Sequence, residues 1–264
     1  MEELIQVLIA GGIMLAVAVV FGAILVVCSH FLAVRKDERV EQVEKLLANS
    51  NCGGCGKAGC AQFAEALVKG EVKLSDCRAT PTANKEKIAK ILGGGEVGEE
   101  TVAVVHCNGG NACFDKYDYQ GYGNCASCEL IAGGVKACPV GCIGKKTCVD
   151  VCPHHAISVE DGGYAVVDKE KCISCGVCIS DCPKHIIGRI PKSAKVYIAC
   201  SNHGKGKDVM ELCKRGCIGC GICAKNCPVG AIEMKNGLPE IDYTKCIGCK
   251  KCAEKCPRKC IKEH

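Results

Sequence analysis

Three runs of cysteine constrain this chain more than any other feature of its sequence. Each run has the spacing C-x2-C-x2-C-x3-C and is followed directly by proline. The runs are Cys172, Cys175, Cys178 and Cys182; Cys217, Cys220, Cys223 and Cys227; and Cys246, Cys249, Cys252 and Cys256. Thiolates at this spacing hold 4Fe-4S cubes, with three ligating one cube and the fourth ligating its neighbour. The runs therefore predict iron-sulfur clusters and a role in electron transfer.

Disulfide scaffolds and zinc proteins are also rich in cysteine. Disulfide scaffolds belong to short secreted chains, whereas this chain has 264 residues. Zinc sites also use Cys-x2-Cys pairs, but they rarely join three cysteines at two-residue gaps and then add Cys-Pro. The pattern favours iron-sulfur clusters, and measuring iron and acid-labile sulfide against zinc distinguishes the two.

The scarcity of aromatic residues indicates that clusters organise the cores. The chain has no Trp, four Phe and six Tyr, although aromatic side chains usually carry much of a core. Thiolate ligation contributes folding free energy that short cysteine-rich segments lack on their own. We expect the soluble part without its clusters to be largely disordered.

The charge of the chain depends on its clusters. The formal net charge of +5 counts every cysteine as neutral. An oxidised 4Fe-4S cube with four thiolates has a charge of about −2, so five cubes bring the protein to roughly −5. Residues 171–264 contain 18 Lys or Arg against 8 Asp or Glu. This basic region either offsets the cluster charge or forms a landing surface for a small acidic redox carrier.

An uncharged N-terminal segment predicts a membrane anchor. No Asp, Glu, Lys or Arg lies between Leu4 and Val34, and roughly 20 apolar residues suffice to cross a bilayer. Arg35, Lys36 and Arg39 follow, which predicts that the bulk of the protein stays on the cytoplasmic side. A buried helix of a soluble core is the alternative. A cleaved signal peptide is disfavoured, because a basic start and a small-residue cleavage site are missing.

A glycine-rich module follows the anchor. Its four cysteines are Cys52, Cys55, Cys60 and Cys77, and four glycines lie among the first three. Glycine permits tight turns and close approach of backbone N–H groups to sulfur. One 4Fe-4S cluster is predicted here, with a zinc knuckle as the alternative. Helices are predicted within residues 35–50 and over residues 61–69 and 82–92.

The remaining chain contains an internal repeat. Four cysteines have counterparts 75 residues further on: Cys138, Cys142, Cys148 and Cys152 match Cys213, Cys217, Cys223 and Cys227. Two further runs match at an offset of 74: Cys172, Cys175, Cys178 and Cys182 match Cys246, Cys249, Cys252 and Cys256. Cys107 and Cys200 each end a β-like segment and are candidate equivalents before the two copies. The repeat predicts two tandem double-cluster units, with short helices after the cysteine runs and small hairpins, one of them around Gly162.

One ligand position differs between the copies. Lys145 stands where the second copy has Cys220, and a protonated lysine cannot act as a soft ligand. We predict that Cys138, one helical turn before Cys142, completes this cluster. The alternatives are a 3Fe-4S cluster or a cysteine recruited from the preceding loop.

Crossing over the fourth ligands gives five predicted 4Fe-4S clusters. Their ligand sets are Cys52, Cys55, Cys60 and Cys77; Cys138, Cys142, Cys148 and Cys182; Cys152, Cys172, Cys175 and Cys178; Cys217, Cys220, Cys223 and Cys256; and Cys227, Cys246, Cys249 and Cys252. Seven cysteines outside the anchor stay without a role: Cys107, Cys113, Cys125, Cys128, Cys200, Cys213 and Cys260. They are predicted to be free buried thiols, and a sixth cluster on Cys107, Cys113, Cys125 and Cys128 is the alternative.

In this order, the anchor, the segment CGGCGKAGC, the segment HCNGGNACFDKYDYQGYGNC and the double-cluster units resemble the RnfB subunits of membrane-bound Rnf complexes. The resemblance covers essentially the whole chain. It implies a ferredoxin:NAD+ oxidoreductase that couples electron flow to Na+ or H+ movement. In that family this subunit accepts electrons from reduced ferredoxin and passes them to other Rnf subunits. The implied location is the inner (plasma) membrane, with one pass through the bilayer and the soluble part in the cytoplasm.

The residues themselves predict no bond chemistry. The chain has no dinucleotide fingerprint or phosphate loop, and no nucleic-acid partner is expected. One alternative function is an iron-sulfur subunit of another membrane oxidoreductase, linked to hydrogen or formate. Another is a redox-sensing metal-binding module. The spacing Cys213-x3-Cys217-x2-Cys220 also matches radical enzymes that cleave S-adenosylmethionine, but the large α/β barrel that they require is not predicted.

The predicted fold is therefore α+β. It comprises a transmembrane anchor (1–34), a helical four-cysteine 4Fe-4S module (35–95), a cysteine-containing connecting segment (96–137), and two bacterial-type 2[4Fe-4S] ferredoxin units (138–192 and 193–264).

Overall fold

The computed structural model describes residues 2–31 and 37–264, which divide into the compact units Met1–Glu38 and Arg39–His264. Helix α1 (Glu2–Phe31) makes up most of the first unit. Its residues Gly11–Ser29 have a mean hydropathy of 2.7 and are long and apolar enough to cross a membrane, by length and composition. The predicted end of the anchor at Val34 and the basic residues Arg35 and Lys36 lie outside the described residues.

Three helices form the front of the second unit: α2 (Glu38–Leu46), α3 (Cys60–Val68) and α4 (Thr82–Leu92). Their apolar faces share one core, in which Val43, Phe63 and Ile88 are fully buried. The sequence predicted all three helices. Helix α4 ends at Gly93, whose φ of 76° is left-handed and suits glycine at this position.

Four two-stranded antiparallel sheets follow. Strand β1 (Thr101–Val105) pairs with β4 (Ile187–Pro191), and β2 (Ile157–Val159) pairs with β3 (Ala165–Val167). Strand β5 (Val196–Ile198) pairs with β8 (Ile261–Glu263), and β6 (Ile232–Lys235) pairs with β7 (Leu238–Ile241). The β-like segments before Cys107 and Cys200 are β1 and β5, as predicted. The hairpin predicted around Gly162 is β2–β3.

Short helices lie between these strands. They are α5 (Cys125–Glu129), α6 (Thr147–Asp150), α7 (Val177–Ser180), α8 (Gly206–Leu212), α9 (Ile222–Lys225) and α10 (Lys251–Glu254). Helices α6, α7, α9 and α10 each contain the third cysteine of a run, as the repeat predicts. Each begins after a residue with positive φ, which is glycine before α7 and α9 but Lys146 and Lys250 before α6 and α10. These two lysines have a strained backbone conformation, which the turn before each helix requires.

The two copies of the repeat therefore have the same plan. In each, an inner hairpin lies between two cysteine-containing helices, and an outer sheet joins the strand before the copy to the strand that ends it. Cysteines contribute directly to both cores, which include Cys142 and Cys178 in the first copy and Cys223 and Cys252 in the second. The described residues form an α+β fold, as predicted, and the cores of the two copies are small and include sulfur.

Candidate iron-sulfur centres

The four cysteines of the front module line one cavity. Cys52, Cys55 and Cys60 come from the glycine-rich loop, and Cys77 comes from the segment before α4. The amide of Cys60 donates to Oδ1 of Asn51 at 2.8 Å, which fixes the loop where α3 begins. Burial raises the pKa of the Cys52 thiol. All four predicted ligands of this module are brought together.

A fifth cysteine, Cys175 from the first cysteine run, lines the same cavity. The backbones touch here, because a Cβ on Gly54 would overlap the carbonyl oxygen of Cys175. Arg189 of β4 donates from its guanidinium to the carbonyl oxygens of Ser174 and Cys175, both at 3.4 Å. The front module is thus in direct contact with the loop of the neighbouring cysteine set.

That neighbouring set also converges. Cys172, Cys175 and Cys152 surround the buried thiol of Cys178, and burial, followed by the nearby thiols, raises the Cys178 pKa to about 12. The amide of Ser174 donates to Sγ of Cys172 at 3.4 Å. Similarly, the amide of Ala156 donates to Sγ of Cys152 at 3.3 Å. N–H···S bonds of this kind tune cluster potential.

The set around Lys145 differs from the prediction. Cys142, Cys148 and Cys182 line one cavity, and the fourth cysteine that lines it is Cys125. Burial raises the pKa of Cys142 to about 11 and that of Cys148 to about 12, and Cys125 lies close enough to act on both. The predicted fourth ligand, Cys138, does not line this cavity.

Contacts of the connecting segment explain why Cys125 takes this position. Cys125 begins α5, and its amide, in the first turn of the helix, donates to Oγ1 of Thr147 at 2.8 Å, at the start of α6. Lys184, two residues after Cys182, forms an ion pair with Glu129 of α5 at 2.7 Å and donates to the carbonyl of Gly133. These contacts hold α5 against the Cys182 loop.

The side chain of Lys145 lies near the same segment. Its Nζ is 5.5 Å from the ring centroid of Tyr119, a cation–π contact. The only sequence signal for Cys125 was the lysine itself, since a missing ligand requires a replacement from another part of the chain. The preceding loop, one of the predicted alternatives, brings Cys125 to this cavity.

The cysteines of both predicted sets also converge in the second copy. Cys217, Cys220, Cys223 and Cys256 line one cavity, together with Cys260. Cys246 and Cys249 lie close to Cys252, and Cys227 packs against the same core. The amide of Ala231 donates to Sγ of Cys227 at 3.3 Å, the equivalent of the Ala156 bond in the first copy.

Cys260 is an extra thiol beside the first of these two sets. Its Sγ is 3.5 Å from that of Cys256. A hydrogen bond from Cys260 lowers the pKa of Cys256 to about 5 and that of Cys217 to about 7. Cys128, in contrast, is fully buried beside Val135 and Ile143, in a cluster against which Cys125 packs, and it lines none of the cavities described above.

The residues fit iron-sulfur clusters, because four thiols grouped at one site are the donor set of a 4Fe-4S cube. Among the residues that the structure describes, no group of three or more His, Cys, Asp or Glu is arranged to hold one metal ion. Without iron, thiols with raised pKa values are protonated at neutral pH, so cluster insertion must displace their protons.

Family models match three segments of the chain. A family described by its Fe-S cluster matches residues 47–79. The 4Fe-4S dicluster domain family matches residues 141–186 and 216–260. The matched segments contain the front module and the core of each copy of the repeat.

Curated relatives extend over most of the chain. The B subunit of the Na(+)-translocating ferredoxin:NAD(+) oxidoreductase complex of Acetobacterium woodii is 37% identical over 90% of this chain and 72% of its own length. The B subunit of the ion-translocating oxidoreductase complex of Methanosarcina acetivorans is 38% identical over 85% of this chain and 86% of its own length. The B subunit of the proton-translocating ferredoxin:NAD(+) oxidoreductase complex of Clostridium ljungdahlii is 37% identical over 92% of this chain and 85% of its own length.

Proposed function

The chain belongs to the RnfB family, the B subunits of ion-translocating ferredoxin:NAD(+) oxidoreductase complexes, and on this premise we propose that its clusters form one conducting row that begins at a docked ferredoxin. The protein is an iron-sulfur electron-transfer subunit of such a complex. Other subunits of the complex are its partners, and it is associated with the membrane. The clusters supply the one-electron chemistry, while the protein sets distances and potentials.

Five 4Fe-4S clusters account for the converging cysteines. The proposed ligands are the predicted ones in four sets, with Cys125 in place of Cys138 in the remaining set. The sets are Cys52, Cys55, Cys60 and Cys77; Cys152, Cys172, Cys175 and Cys178; Cys125, Cys142, Cys148 and Cys182; Cys217, Cys220, Cys223 and Cys256; and Cys227, Cys246, Cys249 and Cys252.

One observation supports the order of the clusters in the row: the front module contacts the loop of Cys175. This contact supports the front cluster as one end of the row, next to the Cys152 set and then the Cys125 set. The two sets of the second copy come after them. We propose that the anchor crosses the plasma membrane once and leaves this whole row in the cytoplasm, because basic residues follow the apolar segment.

The far end of the row is the proposed docking surface for ferredoxin. Lys251, Lys255 and Lys259 are exposed around the last cysteine run, and Cys249 and Ile247 are exposed beside them. A basic surface next to an exposed cluster loop attracts a small acidic carrier and brings the two clusters close. Two other basic residues of this region have structural contacts instead. Lys250 pairs with Glu263, and Arg258 donates to the backbone of Cys213 and Gly216.

Rapid mixing with reduced ferredoxin tests this surface. We expect the triple variant Lys251→Ala/Lys255→Ala/Lys259→Ala to be reduced more slowly than the wild type at low salt, with the difference vanishing at high salt as the attraction is screened. The matched control is Lys73→Ala/Lys87→Ala/Lys90→Ala, which removes the same charge from exposed positions of the front module. Equal slowing in both variants, or no dependence on ionic strength, would place ferredoxin elsewhere.

A further inference from the structure

Five cysteines outside the proposed sets line one further cavity. They are Cys107, Cys113, Cys138, Cys200 and Cys213. This cavity, which we call the seam site, lies between the two copies of the repeat.

The seam site has approximate two-fold symmetry in its cysteines. Cys107 follows β1 and Cys200 follows β5, and Cys138 and Cys213 are 75 residues apart in the repeat. Hydrogen bonds repeat this correspondence. The amide of Cys142 donates to Sγ of Cys107 at 3.3 Å, and the amide of Cys217 donates to Sγ of Cys200, also at 3.3 Å. Each copy therefore contributes the same two thiols in the same local setting.

Cys113 has no equivalent among these pairs. It packs against both Cys138 and Cys213, and an isolated backbone bridge joins it to Cys213. Cys260 has the same relation to the ligand set of the second copy, where it lies beside Cys256 and packs against Cys217. By this analogy Cys113 is an additional thiol that contacts two ligands and is not itself a ligand.

We propose that the seam site holds a sixth 4Fe-4S cluster, ligated by Cys107, Cys138, Cys200 and Cys213. Other groups are arranged to receive its charge. Nδ2 of the buried Asn202 donates to Sγ of Cys138 at 3.3 Å, and the guanidinium of Arg258 donates to the carbonyl of Cys213 at 2.6 Å. Hydrogen bonds and positive charge of this kind stabilise a thiolate-ligated cluster.

The position of this cluster gives it a function in the row of clusters, and this part of the inference rests on the proposed function. Cys142 and Cys217 are ligands of the nearest cluster in each copy, and their amides contact the two seam thiolates. A cube in the seam site would accept one electron from the second copy and pass one electron to the first, with no bond made or broken. It therefore bridges the two double-cluster units.

Native mass spectrometry of the anaerobically purified full chain tests the proposal, because it counts bound cubes without requiring activity. We expect six cubes in the wild type and five in Cys107→Ser/Cys200→Ser, in which serine oxygens still accept the two amide hydrogen bonds. The control Cys113→Ala should retain six. Stopped-flow mixing with reduced ferredoxin should then reduce two clusters of the double variant quickly and the other three in a separate, slower phase.

Other results would overturn specific parts of the proposal. Five cubes in the wild type, or a single zinc ion at the seam, would exclude the sixth cluster while leaving the conducting row of five intact. Loss of a cube in Cys113→Ala, with six retained in the double variant, would overturn the symmetric ligand set. A wild type without cubes would instead contradict the proposed function itself.

Discussion

At the scale of single residues, Lys145 occupies a ligand position of the repeat, and its side chain extends to Tyr119. Cys125, twenty positions earlier, lines the cavity with the other three cysteines of the set. Its position depends on the contacts of α5 with Thr147 and Lys184, so we expect this ligand set to depend on the folded connecting segment.

This replacement can be tested by moving the ligand back. We expect Cys125→Ser to lose one iron or one whole cube, because three thiolates hold a 3Fe-4S cluster or none. Adding Lys145→Cys to that variant should restore the cube, since it recreates the ligand run of the second copy. Iron analysis and electron paramagnetic resonance of the oxidised protein measure both steps. Cys128→Ala is the control, and full iron content in Cys125→Ser would contradict the assignment.

Cys260 is expected to set the potential of its neighbouring cluster. If Cys256 is a ligand thiolate, the thiol of Cys260 must donate across the 3.5 Å between them. A hydrogen bond to a ligand sulfur favours the more negative, reduced cluster. One bond of about 1 kcal/mol corresponds to about 40 mV for one electron. Cys260→Ala should therefore lower the potential by tens of millivolts at unchanged iron content, and a redox titration showing no shift would contradict this.

At the scale of elements, the connecting segment and the outer strands decide which clusters are neighbours. Strand β1 belongs to the segment before the first copy, yet it pairs along its whole length with β4, from Thr101 opposite Pro191 to Val105 opposite Ile187. The equivalent strand β5 pairs with β8 at the end of the chain. These pairings deliver Cys107 and Cys200 to the seam site.

Adding one methyl group tests whether electrons pass through the contact between the front loop and the first copy. We expect Gly54→Ala to separate the two, because its Cβ would overlap the carbonyl of Cys175, and overpacking of this kind costs about 1–3 kcal/mol. The front cluster should then be retained but reduced more slowly than its neighbours. Rapid-freeze paramagnetic resonance measures this. Gly123→Ala is the control, since its Cβ meets nothing within 4 Å; identical kinetics in both variants would contradict a route through this contact.

At the scale of the whole molecule, stability and conduction depend on the same inorganic groups. The cores of the two copies contain many cysteines and few aromatic residues. The front core also contains the buried Cys77, but fully buried apolar side chains, Val43, Phe63 and Ile88, join α2, α3 and α4 to one another. Ligation should therefore stabilise the two copies far more than the front helices.

Removal of the clusters tests this difference. After chelation under anaerobic conditions, we expect hydrogen exchange to become fast throughout β1–β8, while α3 and α4 keep measurable protection. Far-ultraviolet circular dichroism should show residual helix and no sheet. Protection that persists in the strands of both copies without iron would show that their apolar contacts suffice for folding.

Features that depend on local spacing could be predicted from the amino-acid sequence. Ligands within a run are fixed by two-residue gaps and a following proline, so these runs, the repeat, the apolar anchor segment and the α+β class followed from the chain directly. The helices over residues 61–69 and 82–92 followed as well, since their apolar periodicity is local.

Only the folded structure shows which cysteines from distant parts of the chain lie together. Cys138 is one helical turn from Cys142 in sequence, yet it lines the seam site, and Cys125 reaches the Cys142 set through contacts of α5. Cys200 meets Cys107 because two outer sheets bring their strand ends together. Such meetings are determined by packing between segments far apart in the chain, and spacing along the chain does not encode them.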